Sequence, residues 1–205
     1  MAILLCLWSC ALSVWAASPA VLVIGDSLSA AYGLPEKAGW VNLLRERLAK
    51  RTPRYEVVNA SISGETSLGG RNRFAAALAT HKPQIVVLEL GSNDGLRGQP
   101  LPDLRDNLVA MIQEARRTRA QVVLTGMRIP PNYGPDYTKK FQAVFTEVAR
   151  AERVPLVPFL QEGFASQREM FQSDGIHPNE QAQRLILANV WELLAPKLHK
   201  AVRPG

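Results

Sequence analysis

The chain has 205 residues, of which 47% are apolar and 20% charged, with a net charge of +6 and a pI near 9.6. That length suits one domain with one sizeable core rather than two, and no linker, internal repeat or low-complexity segment divides it. Both cysteines, Cys6 and Cys10, lie in an N-terminal apolar run, so the chain that follows has no disulfide, thiol nucleophile or cysteine-held metal.

Residues 2–17 are almost wholly apolar and uncharged and end in Val14-Trp15-Ala16-Ala17-Ser18, where small residues suit a signal peptidase. The expectation is a cleaved signal peptide over residues 1–17 and a periplasmic or secreted domain over residues 18–205, without a stable membrane anchor. Lipidation at Cys10 is disfavoured because the apolar run continues past it. The excess positive charge would suit an anionic partner such as a phospholipid surface. It is spread, however, over groups such as Arg45, Arg47, Lys50 and Arg51 or Arg116, Arg117 and Arg119, which read as solvated helix faces. No recognition motif accompanies them, so nucleic acid is not expected as a partner. The expected state is a monomer.

Five short runs rich in Val, Ile and Leu follow, at residues 20–24, 55–58, 84–90, 121–126 and 154–157. They lack polar alternation, the habit of parallel strands buried on both faces. Helical spacing separates them: Trp40, Leu43, Leu44 and Leu48; then Leu104, Leu108, Met111, Ile112 and Ala115; then Phe141, Val144, Phe145 and Val148. Ala182, Leu185, Ile186, Val190 and Leu193 mark a C-terminal helix. Strand and helix alternate, which predicts an α/β domain, a three-layer αβα sandwich on a five-stranded parallel sheet of flavodoxin-like order 2-1-3-4-5. Ligands in such folds gather at the carboxyl ends of the strands, near the point where strand order reverses.

The chemistry-bearing blocks sit at those ends. After the first strand comes Gly25-Asp26-Ser27-Leu28-Ser29, which puts a hydroxyl at a sharp turn; Asp26 and Ser27 as mere helix caps are the alternative. Before the last helix comes Asp174-Gly175-Ile176-His177-Pro178. A serine hydroxyl needs a base, a neutral imidazole suits that task, and a carboxylate three residues earlier can hold the imidazole Nδ1–H. The other histidines have ordinary explanations, His81 in a polar connection and His199 in a basic tail. Asn93, in Gly91-Ser92-Asn93-Asp94-Gly95, carries an amide that could face the same crevice, although turn chemistry alone explains such residues. Gly64, in Asn59-Ala60-Ser61-Ile62-Ser63-Gly64-Glu65-Thr66, offers an unobstructed N–H, and a tetrahedral intermediate needs two or three such donors.

Together these four blocks resemble those of the SGNH, or GDSL, hydrolase family, in family order and from Val21 to the final helix. The resemblance implies Ser27 as nucleophile, Asp174 and His177 as its triad partners, and an oxyanion hole from the Ser27 N–H, Gly64 and Asn93. It implies an acyl-enzyme mechanism with no metal and no organic cofactor. Residues 25–33 and 127–134 are most similar to the exported bacterial acyl-CoA thioesterase, lysophospholipase and arylesterase branch, with one departure: Ala31 stands where that branch carries glycine. This implies hydrolysis of carboxylic esters and thioesters of medium to long acyl chains, possible lysophospholipid substrates included. Groove walls are expected after the third and fourth strands, with Leu96, Gly98, Met127, Ile129, Pro130 and Tyr133 as substrate-binding candidates. The loop around Gly98 is either a lid or a simple turn. Arg71, Arg97 and Arg128 are candidates for a phosphate, or plain surface residues. Two other functions stay open, an acetyl esterase acting on cell-surface polysaccharide and a non-catalytic exported binding module, with peptidase action at most minor.

Overall fold

The structure, a computed structural model, describes residues 18–51 and 55–201; the expected signal segment with Cys6 and Cys10, and the side chain of His199, lie outside what it describes. Five strands form one parallel sheet: β1 Ala20–Gly25, β2 Glu56–Asn59, β3 Ile85–Glu89, β4 Gln121–Thr125 and β5 Leu156–Val157. Their order is β2-β1-β3-β4-β5, the flavodoxin-like order expected. Every residue of β1 and β3 is buried, because a parallel sheet carries its crossover helices on both faces and leaves neither to water.

The helices are α1 Trp40–Ala49, α2 Ser67–His81, α3 Ser92–Leu96, α4 Leu101–Arg117, α5 Pro135–Ala151 and α6 Glu180–Ala201. α1 packs with α6 on one face, and α2, α4 and α5 line up on the other. Trp40 and Leu44 of α1, Leu108 and Ile112 of α4, and Phe141 and Phe145 of α5 are sealed against the sheet. The Phe141 and Phe145 rings meet edge-on with centroids 5.3 Å apart. Truncating either ring to alanine costs about 3–5 kcal/mol through lost burial and an unfilled cavity. On α6 the buried stripe runs through Ala182, Ile186, Val190, Leu194 and Leu198; Leu185, expected on it, is exposed, and Leu193 is only partly buried.

Two helices escape the periodicity. In α2 only Ser67, Gly70, Phe74 and Leu78 are buried, a stripe too small and too polar to register as hydrophobic spacing. Gly70 belongs to that stripe because a Cβ there would stand 2.2 Å from Leu90 Cδ1, so a bare backbone is what lets the helix lie on the end of β3. His81 is the last residue of α2 rather than part of a loose connection, and Lys82 ends the helix in the left-handed region at φ 41°. The short α3 begins at Ser92, so Asn93 sits in a helix's first turn rather than in the simple turn that was the alternative.

This layout positions the site. From β1 the chain crosses through α1 to β2 on one side, then returns through α2 to β3 on the other, so strand order reverses between β1 and β3. The turn after β1 and the start of α3 after β3 therefore flank one crevice.

Candidate active site

Ser27 follows β1 by two residues, in a turn rather than a helix: the Ala30 N–H bonds to Asp26 O at 2.9 Å and the Tyr32 N–H to Ser27 O at 3.2 Å. Asp26 does cap this turn, its Oδ1 accepting the Leu28 N–H at 3.0 Å. The reason for Gly25 differs from the one expected. It needs no left-handed backbone; instead a Cβ there would lie 2.5 Å from Glu89 Oε2 and 2.8 Å from Ser29 Oγ, so glycine is required for space. Ala31, where the resembling branch has glycine, sits in the left-handed region at φ 57°, a conformation that costs an L-residue about 1–2 kcal/mol.

His177 reaches this turn from the loop before α6. Its Nε2 is 3.0 Å from Ser27 Oγ and its Nδ1 is 2.7 Å from Asp174 Oδ2. The other Asp174 oxygen accepts the N–H groups of Ile176 and His177 at 2.8 and 3.0 Å. Burial works to raise the Asp174 pKa, but the His177 ring and these two amides outweigh it and hold the carboxylate at about 2. An acid ionised so far down must accept the Nδ1 proton, which leaves Nε2 as the acceptor facing Ser27.

The loop is tied down by hydrogen bonds to its backbone as well as by Met170 and Phe171, which pack against the core. Gln172 N–H bonds to His177 O at 2.8 Å, Asn179 N–H to Met170 O at 2.8 Å, and Gly175 turns the chain at φ 71°. The Arg168 guanidinium donates to Gln172 O and Ser173 O at 2.7 and 2.8 Å. Gln172 Nε2 donates to Tyr32 O at 2.8 Å, joining the loop to the nucleophile turn, and the Tyr32 ring lies 4.4 Å from the imidazole.

The oxyanion candidates come from the loops after β2 and β3. Gly64 is exposed at φ 79°, and its carbonyl accepts from Arg97 Nη2 at 2.9 Å. Next to it, Glu65 is forked by Arg73, with Nε to Oε1 at 2.7 Å. The Ile62 N–H bonds to Gly25 O at 3.0 Å, which brings this loop against the nucleophile turn. Among the described residues, neither the Ser27 nor the Gly64 N–H meets an acceptor. Asn93 differs: its Nδ2 donates to Asp26 Oδ2 and to Glu65 O, both at 3.1 Å. An oxyanion must therefore share or displace one of those bonds.

The groove candidates divide. Met127 and Ile129, expected among the groove walls, are buried in the core. Leu96 is partly buried against the core, whereas Gly98, Pro130 and Tyr133 are exposed. The Gly98 loop is tethered, since Tyr133 Oη donates to Leu96 O at 2.8 Å and Tyr137 Oη to Gln99 O at 3.2 Å. The three candidate phosphate arginines have partners within the protein. Arg97 holds Gly64 O, Arg71 donates to Asn107 Oδ1 at 3.1 Å, and Arg128 lies 3.5 Å from Glu162 and over the Phe159 ring.

Two carboxyl groups beneath the site were missed as a pair. Asp26 and Glu89 are both fully buried, and Glu89 Oε2 accepts the Ser29 hydroxyl at 2.6 Å and the Asp26 N–H at 3.2 Å. Burial pushes Asp26 up to about 6, against the Leu28 N–H, the Asn93 amide and the charge of His177. Burial, and then the charge of Asp26, push Glu89 well above the usual carboxylate range. The signal was an acid inside an otherwise apolar strand, Ile85-Val86-Val87-Leu88-Glu89-Leu90.

Residues 23–185 match the GDSL-like lipase/acylhydrolase family. The chain is 51% identical over 193 residues to esterase TesA of Pseudomonas aeruginosa, covering 94% of this chain and 96% of that one. It is 41% identical over 171 residues to thioesterase 1/protease 1/lysophospholipase L1 of Escherichia coli K12, covering 83% and 81%. The psychrotrophic esterase EstA from Pseudoalteromonas sp., solved inhibited by monoethylphosphonate, superposes with a TM-score of 0.83 at 38% identity, over 89% of this chain and 100% of that one.

Proposed function

Since the chain belongs to the GDSL-like lipase/acylhydrolase family and is a serine ester hydrolase acting on small-molecule esters, we propose that Ser27 is its nucleophile, His177 the general base and Asp174 the group that orients the histidine. The observation that carries this reading is the single imidazole bridging Ser27 Oγ at 3.0 Å and the Asp174 carboxylate at 2.7 Å.

In the reaction, His177 Nε2 takes the Ser27 proton as Oγ attacks the acyl carbonyl, and the imidazolium formed is stabilised by the ionised Asp174. The carbonyl oxygen, now negative, is received by the Ser27 and Gly64 N–H groups and by the Asn93 amide. The neutral bond from Asn93 to the Glu65 carbonyl yields to it, while the charge-assisted bond to Asp26 holds. His177 returns its proton to the leaving alcohol or thiol, and water, activated by the same imidazole, releases the acid. The phosphonate on the related EstA supports a serine-centred route, since a tetrahedral phosphorus mimics the intermediate.

The substrates proposed are carboxylic esters and thioesters of medium to long acyl chains, lysophospholipids among them. The name of the E. coli relative supports this range. So do three exposed apolar residues on the site's loops, Tyr32 tilted against His177, Ile176 beside it and Ile62 in the Gly64 loop. Residues 1–17 are proposed as a cleaved export signal that leaves a periplasmic or secreted domain from residue 18 on. No helix among the described residues is long and apolar enough to cross a membrane. The oligomeric state proposed is a monomer.

Hydrolysis of p-nitrophenyl esters from acetyl to palmitoyl by the wild type and by folded Ser27→Ala and His177→Ala variants tests the proposal. Turnover of octanoyl and longer esters with both variants inactive is expected. Activity confined to acetyl esters would overturn the chain-length range, and variants matching the wild type would overturn the triad.

A further inference from the structure

Among the described residues, three carboxyl groups outside the triad are buried, Asp26, Glu89 and Asp94, and the mechanism gives Glu89 no task. Glu89 ends β3 at the strand-order switch, 60 residues from Ser29 and 63 from Asp26, the two groups its Oε2 holds. Its other oxygen is buried and meets no partner among the described residues. The void that admits this carboxyl exists only because residue 25 has no side chain.

We infer that Glu89 is a positioning residue of this esterase site: by clamping the Ser29 hydroxyl and the Asp26 N–H it fixes the Asp26 carboxylate, against which the Asn93 amide is aimed at the oxyanion. The inference rests on Asn93 being an oxyanion donor. Two adjacent buried carboxyl groups cannot both ionise without strong repulsion. Asp26 has the better claim to the charge, because the Leu28 N–H and the Asn93 amide both donate to it and His177 faces it from the loop before α6. Glu89 then carries the proton, on the oxygen that has no donor to accept. A protonated Glu89 leaves one fixed charge under Asn93, so when the oxyanion displaces the Glu65 carbonyl the amide keeps its anchor. An ionised Glu89 would repel Asp26 and loosen the turn that bears Ser27.

The test measures kcat and KM of the whole protein on one p-nitrophenyl ester for Glu89→Ala, Glu89→Gln, Ser29→Ala, Asn93→Ala and the Glu89→Ala/Asn93→Ala double variant. Glu89→Ala should lower kcat by at least about 10-fold with KM little changed. Glu89→Gln, the isostere of the protonated acid, should recover most of that loss. The double variant should be far less impaired than the product of the single losses, since both act on one donor. Towards alkaline pH, kcat of Glu89→Gln should hold where that of the wild type declines. Should Glu89→Ala not fold, the same cycle is run with Ser29→Ala, which removes one arm of the clamp without opening a large cavity. Independent, multiplying losses, or a wild-type kcat in folded Glu89→Ala, would overturn the role of Glu89 and leave the triad untouched. A wild-type kcat in Asn93→Ala would overturn the oxyanion assignment as well.

Discussion

Two acidic regions flank the His177 imidazole and behave in opposite ways. Asp174 lies at the rim, 38% exposed, in a loop whose backbone N–H groups converge on it, and its pKa falls to about 2. Asp26 and Glu89 lie beneath the nucleophile turn, sealed from water, and both are pushed up. The side-chain chemistry is the same; what differs is whether donors or desolvation dominate. The rim acid is held charged by its donors, whereas burial works against the charge on both members of the buried pair.

The sharpest way to break the contrast is to remove the rim charge. Asp174→Asn should lower kcat by roughly 10⁴-fold, since the amide would stabilise the wrong imidazole tautomer, and steady-state kinetics on a p-nitrophenyl ester reads this directly. Wild-type activity in that variant would deny Asp174 its orienting role. Asn93→Ala should cost about 10²–10³ in kcat, through the donor that the buried pair aims.

Gly25→Ala attacks the pair sterically. A Cβ 2.5 Å from Glu89 Oε2 has to displace the clamp, so a loss of about 1–3 kcal/mol is expected in urea unfolding, together with reduced kcat. The pH dependence of stability separates the two regions without touching the chemistry. A carboxyl whose folded pKa is raised contributes stability that is complete below its unfolded value, near 4, and is lost as pH climbs through the folded value, about 6 for Asp26. Asp174 has the opposite sign: its contribution is present above the unfolded value and is lost as pH falls towards 2. The Tm of Glu89→Gln should therefore gain on the wild type as pH rises from 4 to 8, each kcal/mol appearing as about 2–4 °C. A gap that stays constant with pH would argue against a proton held by Glu89. The smallest effect expected is from Ala31→Gly, which relieves the left-handed strain beside the nucleophile turn and should stabilise by up to about 1 kcal/mol in the same unfolding assay.

Much of the molecule was legible before folding because its signals are local. Five aliphatic runs without polar alternation mark doubly buried strands, and Gly25, Gly64, Gly91 and Gly175 punctuate the turns at which the blocks of the site begin or bend. His177 could be picked out because an acid stands three residues before it, within reach across one turn. α2 stayed hidden because its buried stripe is Ser67, Gly70, Phe74 and Leu78, whose fit depends on Leu90 of a distant strand end and not on hydrophobicity. Met127 and Ile129 pointed to a groove wall by their place after β4, but only packing could send them into the core.

The sequence by itself determined the strands, the turn that carries Ser27 and the loop that carries Asp174 and His177, because periodicity and turn chemistry act over a few residues; the strand order was only an expectation that the packed sheet bore out. Only the tertiary structure decided that Asp26, whose capping the sequence allowed, also anchors Asn93, and that Glu89 lies under both. Raising both of their pKa values needs two carboxyl groups brought together from 63 residues apart and stripped of water at once, and neither the proximity nor the desolvation exists until the sheet and its helices have closed over them.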